Sequence, residues 1–364
     1  MNEECPRCRE YVAKGGFFCG ACGRRLRNAE GDVLPTESDP FFGEYAPMPE
    51  KQQFGLIELI LLAVCFVVMA IAVFEAITLA VHIPEISLFL SDKYLYFFLL
   101  TPFPQTVFFL HGFALQAYLV LMTVIIIACV TIAIRKLADG IRAPGGKIEP
   151  GGAENTAAFW ICIFLCAGLV INFIVTLITT AAGSEIGVPD FGGKIEQMFL
   201  MADAAFWEEI VTRMLFIGVP MALISLVVTR KKESFKCLFG GFGMSMTAVA
   251  LIIISGVIFG LAHYPGWENQ LWKVISTGVM GIFLGYLFVR FGLYAAILLH
   301  FITNFLSSFN WMGAEWLLII LTLLLLAMGF VALAYILKRL SSSGRAIKSL
   351  PSFKNGFIKT NDRI

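Results

Sequence analysis

Apolar residues run through most of this chain in long blocks, and the polar residues fall between the blocks instead of alternating with them. Eight blocks are long enough for a helix to cross a bilayer, at residues 55–82, 108–134, 157–181, 198–228, 239–263, 270–290, 292–309 and 314–337. A span needs about 20 mostly apolar residues. The pattern predicts an all-α, polytopic membrane helix bundle of about eight spans over residues 54–340, with Arg290-Phe291-Gly292 as the shortest boundary. Ile86 to Gln105 is also apolar but is interrupted by Asp92, Lys93, Pro102 and Pro104. That stretch is expected to be an interfacial or re-entrant piece.

Composition agrees with the pattern: 58% of the 364 residues are hydrophobic and 15% charged, which excludes an ordinary soluble domain. The net charge of +1 identifies no partner, and no nucleic acid is expected. The distribution of charge says more. Arg24, Arg25 and Arg27 precede the first span, and Arg135, Lys136, Arg142 and Lys147 follow the second. Arg230, Lys231, Lys232 and Lys236 follow the fourth, and Lys338 and Arg339 the eighth. The alternate connections carry Glu85, Asp92, Glu185, Asp190, Glu196 and Glu268. By the positive-inside rule both termini are cytosolic, in a multi-pass protein of the cell membrane. No cleavable signal peptide is expected, because the N-terminus is polar and rich in cysteine.

That N-terminus, residues 1–27, carries Cys5-x2-Cys8 and Cys19-x2-Cys22 around Gly15-Gly16. Four thiolates at this spacing suit a closed tetrahedral site, so Cys5, Cys8, Cys19 and Cys22 are expected to hold a structural zinc; two disulfides are the alternative. A closed site has no open position for catalysis. The segment resembles the zinc ribbons at the N-termini of many prokaryotic membrane proteins and could dock a protein partner. Residues 28–53, with Pro35, Pro40, Pro47 and Pro49, read as a disordered linker. Residues 341–364 form a basic cytosolic tail that either rests on anionic lipid or is simply solvated.

Charges inside the spans are costly and therefore informative. The fourth span contains Glu208, Glu209 and Arg213, with Asp203 nearer its entry. Glu209 and Arg213 are i and i+4 and can neutralise each other, whereas Glu208 is rotated by about 100° and has Thr212 one turn on. One acid is thus paired locally, and the other faces a neighbouring element. The bland reading is a bundle-stabilising ion pair with a spare acid. Two of the chain's four histidines lie in later spans, His263 after Phe259 in the fifth and His300 in the seventh, the latter sharing a helix face with Asn304. Glu75, in the first span, either lines the same cavity or lies near the outer end of its helix. His82 and His111 are placed at the outer interface, and Cys65, Cys129, Cys162, Cys166 and Cys237 are read as small apolar fillers. Gly281-x-x-x-Gly285 permits close helix approach.

Glu-Glu-x-x-x-Arg, then Phe-x-x-x-His, then His-x-x-x-Asn on successive spans resembles the CPBP family of intramembrane proteases, which includes CAAX-processing prenyl-protein endopeptidases and bacteriocin-processing proteins. The resemblance covers residues 198–308 and implies a catalytic core there. It implies that Glu208 and His263 activate water, that His300 and Asn304 stabilise the oxyanion, and that Glu209 and Arg213 support them. The residues themselves allow that chemistry: hydrolysis needs a base for water and donors for a developing oxyanion. Glu208, His263 and His300 also make up a two-histidine, one-glutamate zinc set, so a catalytic zinc stays open beside metal-free hydrolysis. The expected substrate is a membrane-associated peptide or protein reached within the lipid bilayer. Two other classes stand beside the protease. An ion-coupled transporter would use the same groups as a relay, although no internal repeat is found. A catalytically silent scaffold would regulate a membrane partner.

Overall fold

The computed structural model describes residues 2–4, 11–13, 56–100, 104–142, 150–187, 189–230, 232–268 and 270–348. The chain folds as two units, residues 1–54 and 55–364. In the first, β1 (Asn2–Glu4) pairs antiparallel with β2 (Tyr11–Ala13), in register Asn2 to Ala13 and Glu4 to Tyr11. Cys5, Cys8, Cys19 and Cys22 lie outside the described residues, as do the linker at 28–53 and the tail beyond Lys348.

The second unit is the helix bundle. It comprises α1 (Leu56–Val81), α2 (Ile83–Phe89), α3 (Gly112–Ile141), α4 (Ala157–Ala181), α5 (Lys194–Glu209), α6 (Val219–Thr229), α7 (Met246–Gly266), α8 (Leu271–Phe291), α9 (Leu293–Phe305), α10 (Ser308–Trp311) and α11 (Glu315–Lys348). A π-helical segment, Ile210–Gly218, joins α5 to α6 without a break. Among the described residues, seven helices are long and apolar enough to cross a membrane, not eight. The difference lies in the seventh predicted span. Residues 292–309 form α9, of 13 residues, followed by a turn and the short α10. At 1.5 Å per residue α9 is about 20 Å long, less than a hydrocarbon core of about 30 Å. It can be short because it is surrounded by protein: α1, α3, α4, α5 and α8 all pack on it, and Ala295 to Ile302 are buried without interruption. A second boundary shifts as well, since α11 continues to Lys348 and makes the start of the expected tail helical.

The interrupted stretch after α1 is not all helix. Beyond α2 it forms an antiparallel hairpin of β3 (Tyr94–Leu100) and β4 (Pro104–His111), with an irregularity between Phe97 and Phe98. Aromatic residues of the kind favoured in strands dominate both halves.

Two packing features set the half of the bundle that follows α6. α7 and α8 pack so closely that a Cβ on Gly260 would come within 2.6 Å of the Val274 carbonyl, and one on Gly281 within 3.0 Å of the Gly256 Cα. Small residues there let the backbones meet, which fixes the height of Phe259 and His263. Gly292, at φ +104°, turns α8 directly into α9 in a conformation that L residues rarely adopt.

Candidate active site

Glu208 and Glu209 close α5, and the backbone then widens into the π segment that carries Arg213. Such segments are rare and recur at functional sites. The expected local pair forms: Arg213 Nε donates to Glu209 Oε2 at 3.0 Å, with both side chains fully buried. Arg213 Nη1 also donates to Ser255 Oγ at 2.7 Å, and Ser255 donates to the Thr212 carbonyl at 3.1 Å. One serine of α7 thereby serves both the guanidinium and a carbonyl of the widened turn. Thr212 Oγ1 donates back to the Glu208 carbonyl at 2.5 Å. The guanidinium lies over the Phe259 ring, 4.8 Å from its centroid.

Glu209 has a second partner that its sequence neighbourhood does not disclose. Its Oε1 accepts from His300 Nδ1 at 2.9 Å, across 91 residues. His263 Nδ1 is 2.8 Å from the Phe259 carbonyl. A carbonyl and a carboxylate can only accept, so each Nδ1 carries the proton and each neutral ring presents an Nε2 lone pair. Both lone pairs face Glu208. Its Oε2 is 3.9 Å from His263 Nε2 and 3.8 Å from His300 Nε2, and among the described residues it has no hydrogen-bond donor. Phe259 holds the two rings apart, edge-on to His263 at 4.7 Å and to His300 at 5.8 Å.

These side chains open into a cavity of about 580 Å³ lined by Glu208, His263, His300 and Asn304 among others. Asn304 Nδ2 is 3.5 Å from the Met201 carbonyl, a long contact that leaves the amide available to the cavity. A smaller cavity of about 280 Å³ on the other flank shares Glu208, Phe259 and His263 and is bounded by Phe98. The hairpin is tied beside the acid: Trp207 Nε1 donates to the Phe98 carbonyl at 3.1 Å, and Phe97 meets the Trp207 ring edge-on at 4.6 Å.

All four expected catalytic residues therefore line one cavity, and Glu209 and Arg213 stand behind them. Glu75 does not line it. It is fully buried in α1, and neither carboxylate oxygen has a hydrogen-bond partner among the described residues. His82 Nδ1 bonds the Thr78 carbonyl at 2.8 Å, and His111 packs on Tyr94 at 5.0 Å. The five cysteines of the bundle are buried free thiols. Lys273 and Trp267 also line the large cavity and belong to none of the three motifs, although a lysine just inside the sixth apolar block is itself a signal. Asp203 accepts from Tyr118 Oη at 2.5 Å, so the remaining charge of the fourth span is also satisfied. Among the described residues no group of three or more His, Cys, Asp and Glu is arranged to hold a metal ion.

Residues 196–306 match the model of a protease family described as type II CAAX prenyl endopeptidase Rce1-like. That segment contains Glu208, Glu209, Arg213, His263, His300 and Asn304, so the match and the cavity coincide. No curated protein and no solved structure matches the chain.

Proposed function

We propose that the chain is an intramembrane endopeptidase that hydrolyses a peptide bond in a membrane-associated peptide or protein. The observation that carries this reading is the convergence of one carboxylate and two imidazole lone pairs at the wall of a cavity. A water donates to Glu208 Oε2 and to His263 Nε2, since a bridging water with hydrogen bonds of about 2.8 Å spans acceptors up to roughly 5 Å apart. Glu208 takes a proton from that water as its oxygen attacks the substrate carbonyl, and returns the proton to the departing amine. Asn304 donates to the oxyanion, and so does His300 when Nε2 carries a second proton, with Glu209 as the compensating charge. Arg213 and Ser255 hold Glu209 in place. The matched family's description names CAAX prenyl substrates, which makes a prenylated CAAX peptide the first substrate to assay.

A catalytic zinc is the metal-assisted form of the same reaction. The donor types of Glu208, His263 and His300 suit it, but ligands on a tetrahedral zinc lie about 3.3 Å apart for bonds of about 2.0 Å. The separations of 3.8 and 3.9 Å here are wider. No step is routed through a metal, and chelation of the full chain separates the two forms: retained activity favours metal-free hydrolysis and lost activity, restored by zinc, favours the metal-assisted form. A structural zinc on Cys5, Cys8, Cys19 and Cys22 is a separate proposal. It rests on spacing alone and is tested by metal analysis of the full chain against a variant with all four changed to serine.

With the short α9 counted as a crossing between α8 and α11, the number of crossings is even and the charge pattern supports cytosolic termini; the α7–α8 turn and the cavity beside it then lie in the outer half of the bilayer. The direct functional test compares membrane proteomes of cells carrying wild type or Glu208→Gln. Uncleaved peptides should accumulate in the variant at equal protein abundance. Identical proteomes at equal abundance favour the silent scaffold.

A further inference from the structure

Glu208 and His263 line two cavities at once, the large one with His300 and Asn304 and the smaller one of about 280 Å³. An endopeptidase holds chain on both sides of the bond it cuts, and two cavities that meet at the acid provide for both. The smaller cavity is walled by elements of different kinds. α7 contributes Phe259 and His263, the π segment contributes Val211 and Thr212, and β3 contributes Phe98. The family match begins at residue 196, so it does not account for β3.

β3 is held firmly beside the acid. Phe97 is buried and meets Trp207 edge-on at 4.6 Å and Tyr118 at 5.1 Å, and Trp207 Nε1 donates to the Phe98 carbonyl at 3.1 Å. Trp207 directly precedes Glu208, so the strand and the acid are tied through adjacent residues. One edge of β3 is covered by β4, which runs on into α3. The other edge is open. In an antiparallel pair every second residue turns its N–H and C=O away from the partner strand. Among the described residues no backbone bond joins β3 to any element but β4. Unpaired backbone groups at membrane depth are tolerated only where they are buried in protein or line a cavity. An open strand edge is also the template to which an extended peptide adds. The seven residues of β3 offer about 23 Å of it.

Resting on the protease reading above, we propose that β3 binds the substrate by strand addition: on one side of the scissile bond the peptide lies extended along the open edge of β3, in the smaller cavity, and this pairing sets the scissile carbonyl against Glu208 and His263. Recognition on that side is through the peptide backbone and tolerates varied side chains.

The test uses the full chain in detergent, carrying Glu208→Gln so that no turnover is needed, and a prenylated CAAX peptide with its backbone amides N-methylated one at a time. Binding is read from tryptophan fluorescence. On one side of the scissile bond, N-methylation should weaken binding about two- to tenfold at every second amide, the worth of one hydrogen bond, and leave the amides between them near the unmodified peptide. A photoreactive phenylalanine placed in that stretch should cross-link to residues 94–100, as located by mass spectrometry. In the active chain the same methyl groups should raise KM. Losses spread evenly over successive amides, no loss at any amide, or cross-links that miss β3 overturn the proposal. Failure of the protease reading looks different: Glu208→Gln would then cleave the peptide as fast as wild type, whatever the pattern of N-methyl effects.

Discussion

Two fully buried glutamates in this bundle have opposite surroundings. Glu209 gives one oxygen to Arg213 and the other to His300. Glu75, in α1, gives neither oxygen to any described residue. In sequence they look alike, each an acid deep in an apolar run. A buried carboxylate with complete partners fixes the geometry around it, whereas one without partners is only a cost. The Glu209 region is therefore under geometric constraint from three elements, and the α1 region serves as packing. Glu208, one residue away from Glu209, differs from both, since it is directed into a cavity and not into the protein.

Substitutions sharpen this contrast. The largest effect is expected for Arg213→Ala, which strands Glu209 and should cost about 3–5 kcal/mol. Thermal melting of the purified protein in detergent would show a large drop, with low membrane abundance. Gly260→Val comes next. Its Cβ would enter the space of the Val274 carbonyl, and overpacking of this kind costs about 1–3 kcal/mol. Activity per folded molecule should fall with it, because Phe259 and His263 ride on the same helix and shift when α7 is pushed away from α8. Ser255→Ala removes the group shared by Arg213 and the Thr212 carbonyl and should cost about 1–2 kcal/mol. It is checked by the same melt and by a double-mutant cycle with Arg213→Lys. The smallest change is expected for Glu75→Leu, which removes an unpartnered carboxyl and should leave the melting midpoint unchanged or raise it. A drop as large as that of Arg213→Ala would break the comparison by revealing a partner for Glu75.

Orientation offers a further check on the side from which the site is reached. Gly266 is exposed with open space around its Cα, and Lys236 is exposed on the connection after α6. Gly266→Cys should react with an impermeant thiol reagent on intact cells, and Lys236→Cys should not. The reverse pattern would move the chemistry to the cytosolic side.

Much of the site was legible because it depends on local geometry. The 3.6-residue period separates Glu208 from Glu209 and pairs Glu209 with Arg213, and four residues part His300 from Asn304. Long apolar runs marked seven of the spans. What stayed hidden depends on distant contacts or on small register changes. The bond from His300 to Glu209 joins positions 91 residues apart, and no pattern within either helix announces it. The π segment inserts its wider turn into a run that is apolar apart from Thr212 and Arg213, and the spacing of those two residues carries no mark of the extra width. In the sequence α9 looks like a full span because its 13 residues and the following Leu306 and Phe309 form one apolar block. Only its burial on all sides shows why it can be short. The hairpin was within reach, given the aromatic runs on both sides of Pro102, but membrane hydropathy reads such runs simply as apolar.

The central claim is that neighbouring acids have divided roles, with Glu208 acting on water and Glu209 holding the residues that act with it. It is tested most directly by measuring cleavage per folded molecule and the melting midpoint for Glu208→Gln and Glu209→Gln in parallel. Glu208→Gln should abolish cleavage and keep the wild-type midpoint, while Glu209→Gln should lower the midpoint and reduce activity with it. Residual cleavage by Glu208→Gln at the wild-type rate, or equal loss of fold in the two variants, would contradict the account.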